Sequence, residues 1–157
     1  MLLSFFEWCD ATALGEGVRN SLWLFPAIEA VHLLGFCVLG GSLLVVDLRL
    51  LGVGLKQQTI AELAEQAGRW LVGAIVVMGV TGLLLFLSEA VKCYYNQSFW
   101  VKMTTLPIAL VFTFTIRARV TRTGGPDTSV RTRLVGATSI ALWFIVAAAG
   151  RWIGFSS

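Results

Sequence analysis

The chain has 157 residues, of which 57% are hydrophobic and only 13% charged, with a mean hydropathy of +0.80. The length allows one compact domain, and the composition lies outside the range of soluble globular chains, so an integral membrane protein in contact with a lipid bilayer is expected. A net charge of +3 would suit nucleic acid, but the basic residues bracket apolar runs instead of interleaving with aromatics on a polar face, so no nucleic-acid partner is expected.

Residues 4–24 are too polar to span a membrane and read as a short amphipathic helix at its surface, with Phe5, Phe6 and Trp8 in the interface. An early glutamate and the lack of a basic leader argue against a cleaved signal peptide. Four apolar segments follow, at about 26–48, 70–91, 100–118 and 134–154. Each is close to the roughly 20 residues needed to cross a hydrocarbon core of about 30 Å. Pro26 suits a first helical turn, whereas Pro107 removes a backbone hydrogen bond and is expected to kink the third span. The stretch "TRTGGPDTSVRTR" has the Gly, Pro and Asp of a loop. The fold class expected is an all-α membrane protein, a four transmembrane helix bundle with a short N-terminal interfacial helix, in a single domain over 1–157.

Orientation follows from lysine and arginine, which collect on cytoplasmic flanks. Arg49, Lys56 and Arg69 surround the first inter-span loop and Arg117, Arg119, Arg122, Arg131 and Arg133 the third, against only Lys92 and Lys102 around the second. Loops one and three are therefore expected in the cytoplasm and both termini outside it. Trp23, Trp70, Trp100 and Trp152 fall at span ends, where indoles prefer to sit.

The first span, "IEAVHLLGFCVLGGSLLVVDLRLL", carries four groups that lipid rejects. Glu29 and the chain's only histidine, His32, are three apart and so lie near one helical face, below the outer interface. An ionised Glu29 needs a partner there, because a charge inside the bilayer costs from about 2.5 to more than 10 kcal/mol. Lys102 and Arg151 come from similar depth, as do Glu89 and Lys92, and the six make a candidate polar cluster at the outward mouth of the bundle. At the inner end, Asp47 and Arg49 read as a structural clasp, with Asp47 pairing Arg69, Arg117 or Arg119. Gly35, Gly40, Gly41, Gly73, Gly79, Gly82 and the run Ala147–Gly150 are expected to let helix backbones approach. Cys9, Cys37 and Cys93 show no paired spacing and read as small apolar fillers.

The pieces "FPAIEAVHLLG", "GGSLLVVDLRLLG", "TGLLLFLSEAVKCYYNQSFWVKM" and "AAAGRWIGF" resemble a family of small four-helix bacterial membrane proteins known only as a domain of unknown function. The likeness implies the four-span fold and a bacterial inner membrane, in which the outward termini of the charge argument would be periplasmic. The chain is also distantly similar to the copper-resistance D group, which implies haem or copper handling. The resemblance further implies a second histidine near the cytoplasmic end of the third span, where this chain has Arg117. A lone His32 offers one axial bond per protomer, so a haem b would need another ligand, an open face or a partner subunit.

Three readings remain at the level of sequence. In the first, His32 ligates haem or a metal for a redox accessory role and Glu29 orients the imidazole; for copper, Cys37, Met78 and Met103 are soft candidates. In the second, the outer cluster and inner arginines are two mouths of an ion or small-solute pathway. In the third, the chain is a ligand-free subunit of a homo-oligomer or a larger membrane complex. No nucleophile has a nearby histidine in sequence, so no catalytic residue is assigned. The first reading leads narrowly.

Overall fold

A computed structural model describes residues 1–54, 57–123 and 129–155. Lys56 and the Gly-Pro-Asp core of the third loop lie outside these. Two short helices, α1 (Leu2–Asp10) and α2 (Ala13–Asn20), precede the long α3 (Leu24–Leu50) and α4 (Ile60–Ser88). A short α5 (Ala90–Tyr95) leads into α6 (Gln97–Phe112), which continues through a π-helical turn, Thr113–Arg117, into α7 (Ala118–Thr123). The chain ends with α8 (Val130–Ile153). No strand occurs among the described residues.

Four helices are long and apolar enough to cross a membrane: Leu24–Leu50, Ile60–Ser88, the continuous stretch Gln97–Thr123, and Val130–Ile153. The chain is a multi-pass membrane protein built as a four-helix bundle. α1, α2, α5 and the C-terminus of α8 lie at one end, here the collar end; the C-termini of α3 and α7 and the N-termini of α4 and α8 lie at the other, the arginine end.

Local chemistry sets the boundaries. Gly52, at φ +78°, closes α3: its N–H donates to Arg49 O at 3.0 Å and that of Val53 to Leu48 O at 3.0 Å. This paired termination needs a left-handed residue, which glycine supplies without steric cost. Thr59 and Glu62 begin α4 with a reciprocal capping box, Thr59 N–H to Glu62 Oε2 at 3.0 Å and Glu62 N–H to Thr59 Oγ1 at 3.3 Å. Asn96 caps α6 and Ser129 caps α8. The second span thus starts ten residues before the apolar run does, because Ile60 and Leu63 bury against Val46, Leu50, Val120 and Val135 while Glu62 and Glu65 face out.

The N-terminal segment is two helices rather than one. Thr12 ends the first by donating to Cys9 O at 2.8 Å and starts the second by accepting from Gly15 N–H at 3.2 Å. The pair forms a collar on α4, α5 and α6. Phe6 is buried in it, 5.5 Å from the Phe86 ring, 5.2 Å from Tyr94 and 6.0 Å from Phe99, so only Phe5 and Trp8 are free to meet an interface. Gly15 is pressed against the Leu87 carbonyl with no room for a side chain. Arg19 ties the collar down through Asp10 Oδ2 at 2.6 Å and Ser88 O at 3.0 Å.

Of the glycines expected to bring helices together, Gly40, Gly41, Gly73 and Gly79 have open space where a Cβ would be. Gly35 packs on Val77 and Met78, and Gly82 on His32. Among the four long spans, the tightest crossing uses Gly136 of α8, where a Cβ would come within 2.9 Å of Asp47 O and 3.0 Å of Leu50 Cβ.

Candidate functional site

Two polar clusters occupy the bundle, one in each half, with an apolar layer between them. At the arginine end, Asp47 of α3 is 1% exposed and Arg117 of the third span 5%. Arg117 Nε donates to Asp47 Oδ1 at 2.6 Å, and Ser139 Oγ of α8 donates to Asp47 Oδ2 at 2.6 Å. Arg117 Nη2 also reaches Leu43 O at 3.4 Å. Each carboxylate oxygen therefore has its own donor, as a buried carboxylate requires. One turn before Arg117, Thr113 accepts from Trp143 Nε1 of α8 at 3.0 Å. The turn between these two contacts is the π-helical one, a local widening of the kind that recurs where a helix must aim side chains at different neighbours. Pro107 sits inside α6, and the departure from α geometry comes only at this later turn.

Arg49 is buried and donates from Nε to Gln58 O at 2.9 Å, which ties α3 to the following loop rather than to Asp47. Arg69 is exposed and makes no hydrogen bond or ion pair with another described residue.

Leu39, Leu43, Leu71, Ala74, Ala109, Trp143 and Val146 fill the middle of the bundle. Beyond them, toward the collar, lies His32. Its Nδ1 is 2.7 Å from Thr81 Oγ1 of α4, and that hydroxyl is 2.7 Å from Val77 O. A hydroxyl has one proton, and the Val77 carbonyl can only accept it. With that proton on Val77 O, the Thr81 oxygen accepts from Nδ1–H, the neutral tautomer in which the Nε2 lone pair is free. A Cβ on Gly82 would sit 3.2 Å from His32 Cε1, so the ring needs a glycine beside it.

Lys102 of α6 lies in the same half of the bundle. Its ammonium rests over Gly150 of α8, where a Cβ would come to 3.5 Å of Nζ. Lys102 makes no hydrogen bond or ion pair with another described residue. His32 is about 12 Å along α3 and Lys102 about 8 Å along α6, so both are more than one turn inside the collar end.

The other outer candidates do not join this pair. Glu29 is exposed and makes no hydrogen bond or ion pair with a described residue. Three residues of helix turn leave it about 60° from His32, enough to move it from the α3/α4 seam to the rim. Glu89 takes Lys92 as its partner at 3.4 Å on the surface. Arg151 is exposed and lies 4.5 Å from the Phe155 ring centre. Below the collar, burial and the neighbouring Glu89 carboxylate push the Cys93 thiol up to about 11, which keeps it neutral and unreactive. Cys37 and Met103 are exposed on the outside of the bundle, away from His32. No group of three or more His, Cys, Asp or Glu side chains suited to a metal ion occurs among the described residues.

Thr81, Thr113, Ser139 and Trp143 were not among the sequence candidates. Trp143 carried a signal: it is a tryptophan away from the span ends, and a buried indole N–H needs an acceptor.

Fold and clusters define a four-span helical membrane protein with one polar cluster at each end of the bundle. The chain belongs to the family of unknown function DUF6644, whose model matches residues 5–156. No curated protein and no solved structure matches the chain. The likeness to the copper-resistance D group therefore has no support among these matches.

Proposed function

We propose that the collar-end half binds a small anionic ligand between Lys102 and His32, and that the protein serves a transport or ligand-handling role in a bacterial inner membrane, with the collar facing the periplasm. The observation that carries this reading is the unpaired Lys102 ammonium. A cation inside a bundle calls for a counter-charge. Among the described residues the nearby carboxylates are engaged or directed elsewhere, Glu89 to Lys92 and Glu29 to the rim. His32 adds a nitrogen that accepts a proton or, once protonated, donates to the same anion, so uptake of an anion and a proton would be linked. The apolar layer below His32 closes the way to the other half, so passage would require the helices to move.

A second reading is favoured by the histidine tautomer. An imidazole held through Nδ1–H with Nε2 free is the arrangement of a ligating histidine. The residues present would give a haem one axial nitrogen from His32 and one cation, Lys102, for a carboxylate. They supply no second axial ligand, and Glu29 is not placed to orient the ring. When bound, haem would supply one-electron chemistry. For copper, Met78, packed on Gly35 at the α3/α4 seam, would be a soft donor, whereas Cys37 and Met103 are on the outer surface.

The test is a thermal melt of the purified protein in mild detergent, titrated with chloride, acetate and phosphate at constant ionic strength, together with a visible spectrum before and after reduction. Anion-dependent stabilisation that disappears in Lys102→Met supports the first reading. A Soret band lost in His32→Ala supports the second, and neither signal would leave a ligand-free structural subunit.

A further inference from the structure

A separate groove runs along the outside of the α3/α4 seam, with a volume of about 710 Å³, and its wall is apolar except at one end. Val31, Gly35 and Val38 of α3 form one side, Gly73 and Val77 of α4 the other, and Arg69 stands at the arginine end. A Cβ at Gly73 would meet nothing within 4 Å, so the glycine contributes directly to the open volume. From Val31 to Val38 the groove follows about 10 Å of helix, the length of a substantial part of an acyl chain.

We propose that this groove seats an anionic phospholipid of the leaflet at the arginine end, with its phosphate on Arg69 and one acyl chain along the seam. The depth argues for a lipid. Arg69 and Trp70 are the last residues before the uninterrupted apolar run "LVGAIVVMGVTGLLLFL", which puts the guanidinium at the level of the headgroups and the rest of the groove in hydrocarbon. The charge argues for an anionic one. Arg69 is exposed and has no hydrogen-bond or ion-pair partner among the described residues, and a guanidinium presents a planar fork that matches phosphate. A second copy of the chain is the competing occupant, because its Glu65 is an exposed carboxylate at a similar level.

Native mass spectrometry of the full chain, released from micelles containing equal amounts of phosphatidylglycerol and phosphatidylcholine, tests the assignment. One surface arginine gives a roughly fivefold preference for anionic lipid. Wild type should retain phosphatidylglycerol with that preference, Arg69→Gln should bring the two lipids to parity, and Gly73→Leu should reduce retention of both by filling the groove. Arg69 is exposed, so its substitution leaves the fold intact; matching helical circular dichroism confirms that. An unchanged preference in Arg69→Gln overturns the proposal. So does a dimer in wild type that Gly73→Leu disperses, which would assign the groove to a second copy.

Discussion

The two ends of the bundle treat their polar groups in opposite ways. At the arginine end, Asp47 has a donor for each oxygen, the ion pair is sealed, and three spans meet on it. At the collar end, His32 keeps one nitrogen free and Lys102 has no counter-charge among the described residues. A completed network holds helices in place and has no valence left for anything else. An incomplete one contributes less to the fold and has capacity for a ligand. The difference separates a structural clasp from a candidate site, although both consist of polar groups in apolar helices.

Breaking the clasp should have the largest effect. Asp47→Asn leaves Arg117 buried without its counter-charge, and removing one partner of a buried pair costs about 3–5 kcal/mol. A denaturant or thermal unfolding series in detergent should show that loss, and Asp47→Leu combined with Arg117→Met should recover most of it. Failure of the double variant to recover would mean that Ser139 and the π-helical turn depend on the charges themselves.

Gly136→Val probes the same end by crowding. The new Cβ would meet the Asp47 carbonyl at 2.9 Å, a backbone atom that cannot swing aside. Overpacking of this kind costs about 1–3 kcal/mol, measurable in the same unfolding series. Trp143→Phe should cost less, on the order of 1 kcal/mol, since it mainly removes the indole donor to Thr113. Equal stability of Trp143→Phe and wild type would show that the Thr113 contact contributes little.

The smallest effect is expected from the Cys93 thiol, at the edge of the open end. Burial raises its pKa from the ordinary thiol range to about 11. The folded chain therefore holds this proton more tightly than the unfolded chain. Its contribution to stability is complete below pH 9 and is lost as the pH rises toward 11. Comparing wild type with Cys93→Ala across that window should show a slightly steeper alkaline loss in wild type, and parallel curves would remove the thiol from the account.

The spans were legible because long apolar runs have few alternatives. The start of α4 was not, since "IAELAEQAGR" buries only Ile60 and Leu63 and otherwise looks like loop. The break in the collar depends on one threonine acting as donor backward and acceptor forward, and composition does not reveal that. Among site residues, the charged groups stood out from their surroundings and the hydroxyls did not. Ser42, Thr104 and Thr115 bond to carbonyls within their own helices, which is the ordinary fate of such residues in a span. Thr81 does so as well and also holds His32, while Ser139 reaches Asp47 across a helix interface. Nothing in the local sequence separates these cases, because the distinction is made by what the facing helix presents. The glycines behave similarly: Gly136, outside the expected set, forms the closest crossing between spans, while Gly40 and Gly41 face open space.

The most direct test of the contrast between the ends is a paired melting experiment in detergent on Arg117→Met and Lys102→Met, each with and without the anion that most stabilises wild type. Arg117→Met should melt well below wild type yet keep its anion-dependent rise. Lys102→Met should melt at or above ligand-free wild type and lose the rise entirely. If Lys102→Met is as destabilised as Arg117→Met and no anion stabilises wild type, both clusters are structural and the collar end holds no ligand site.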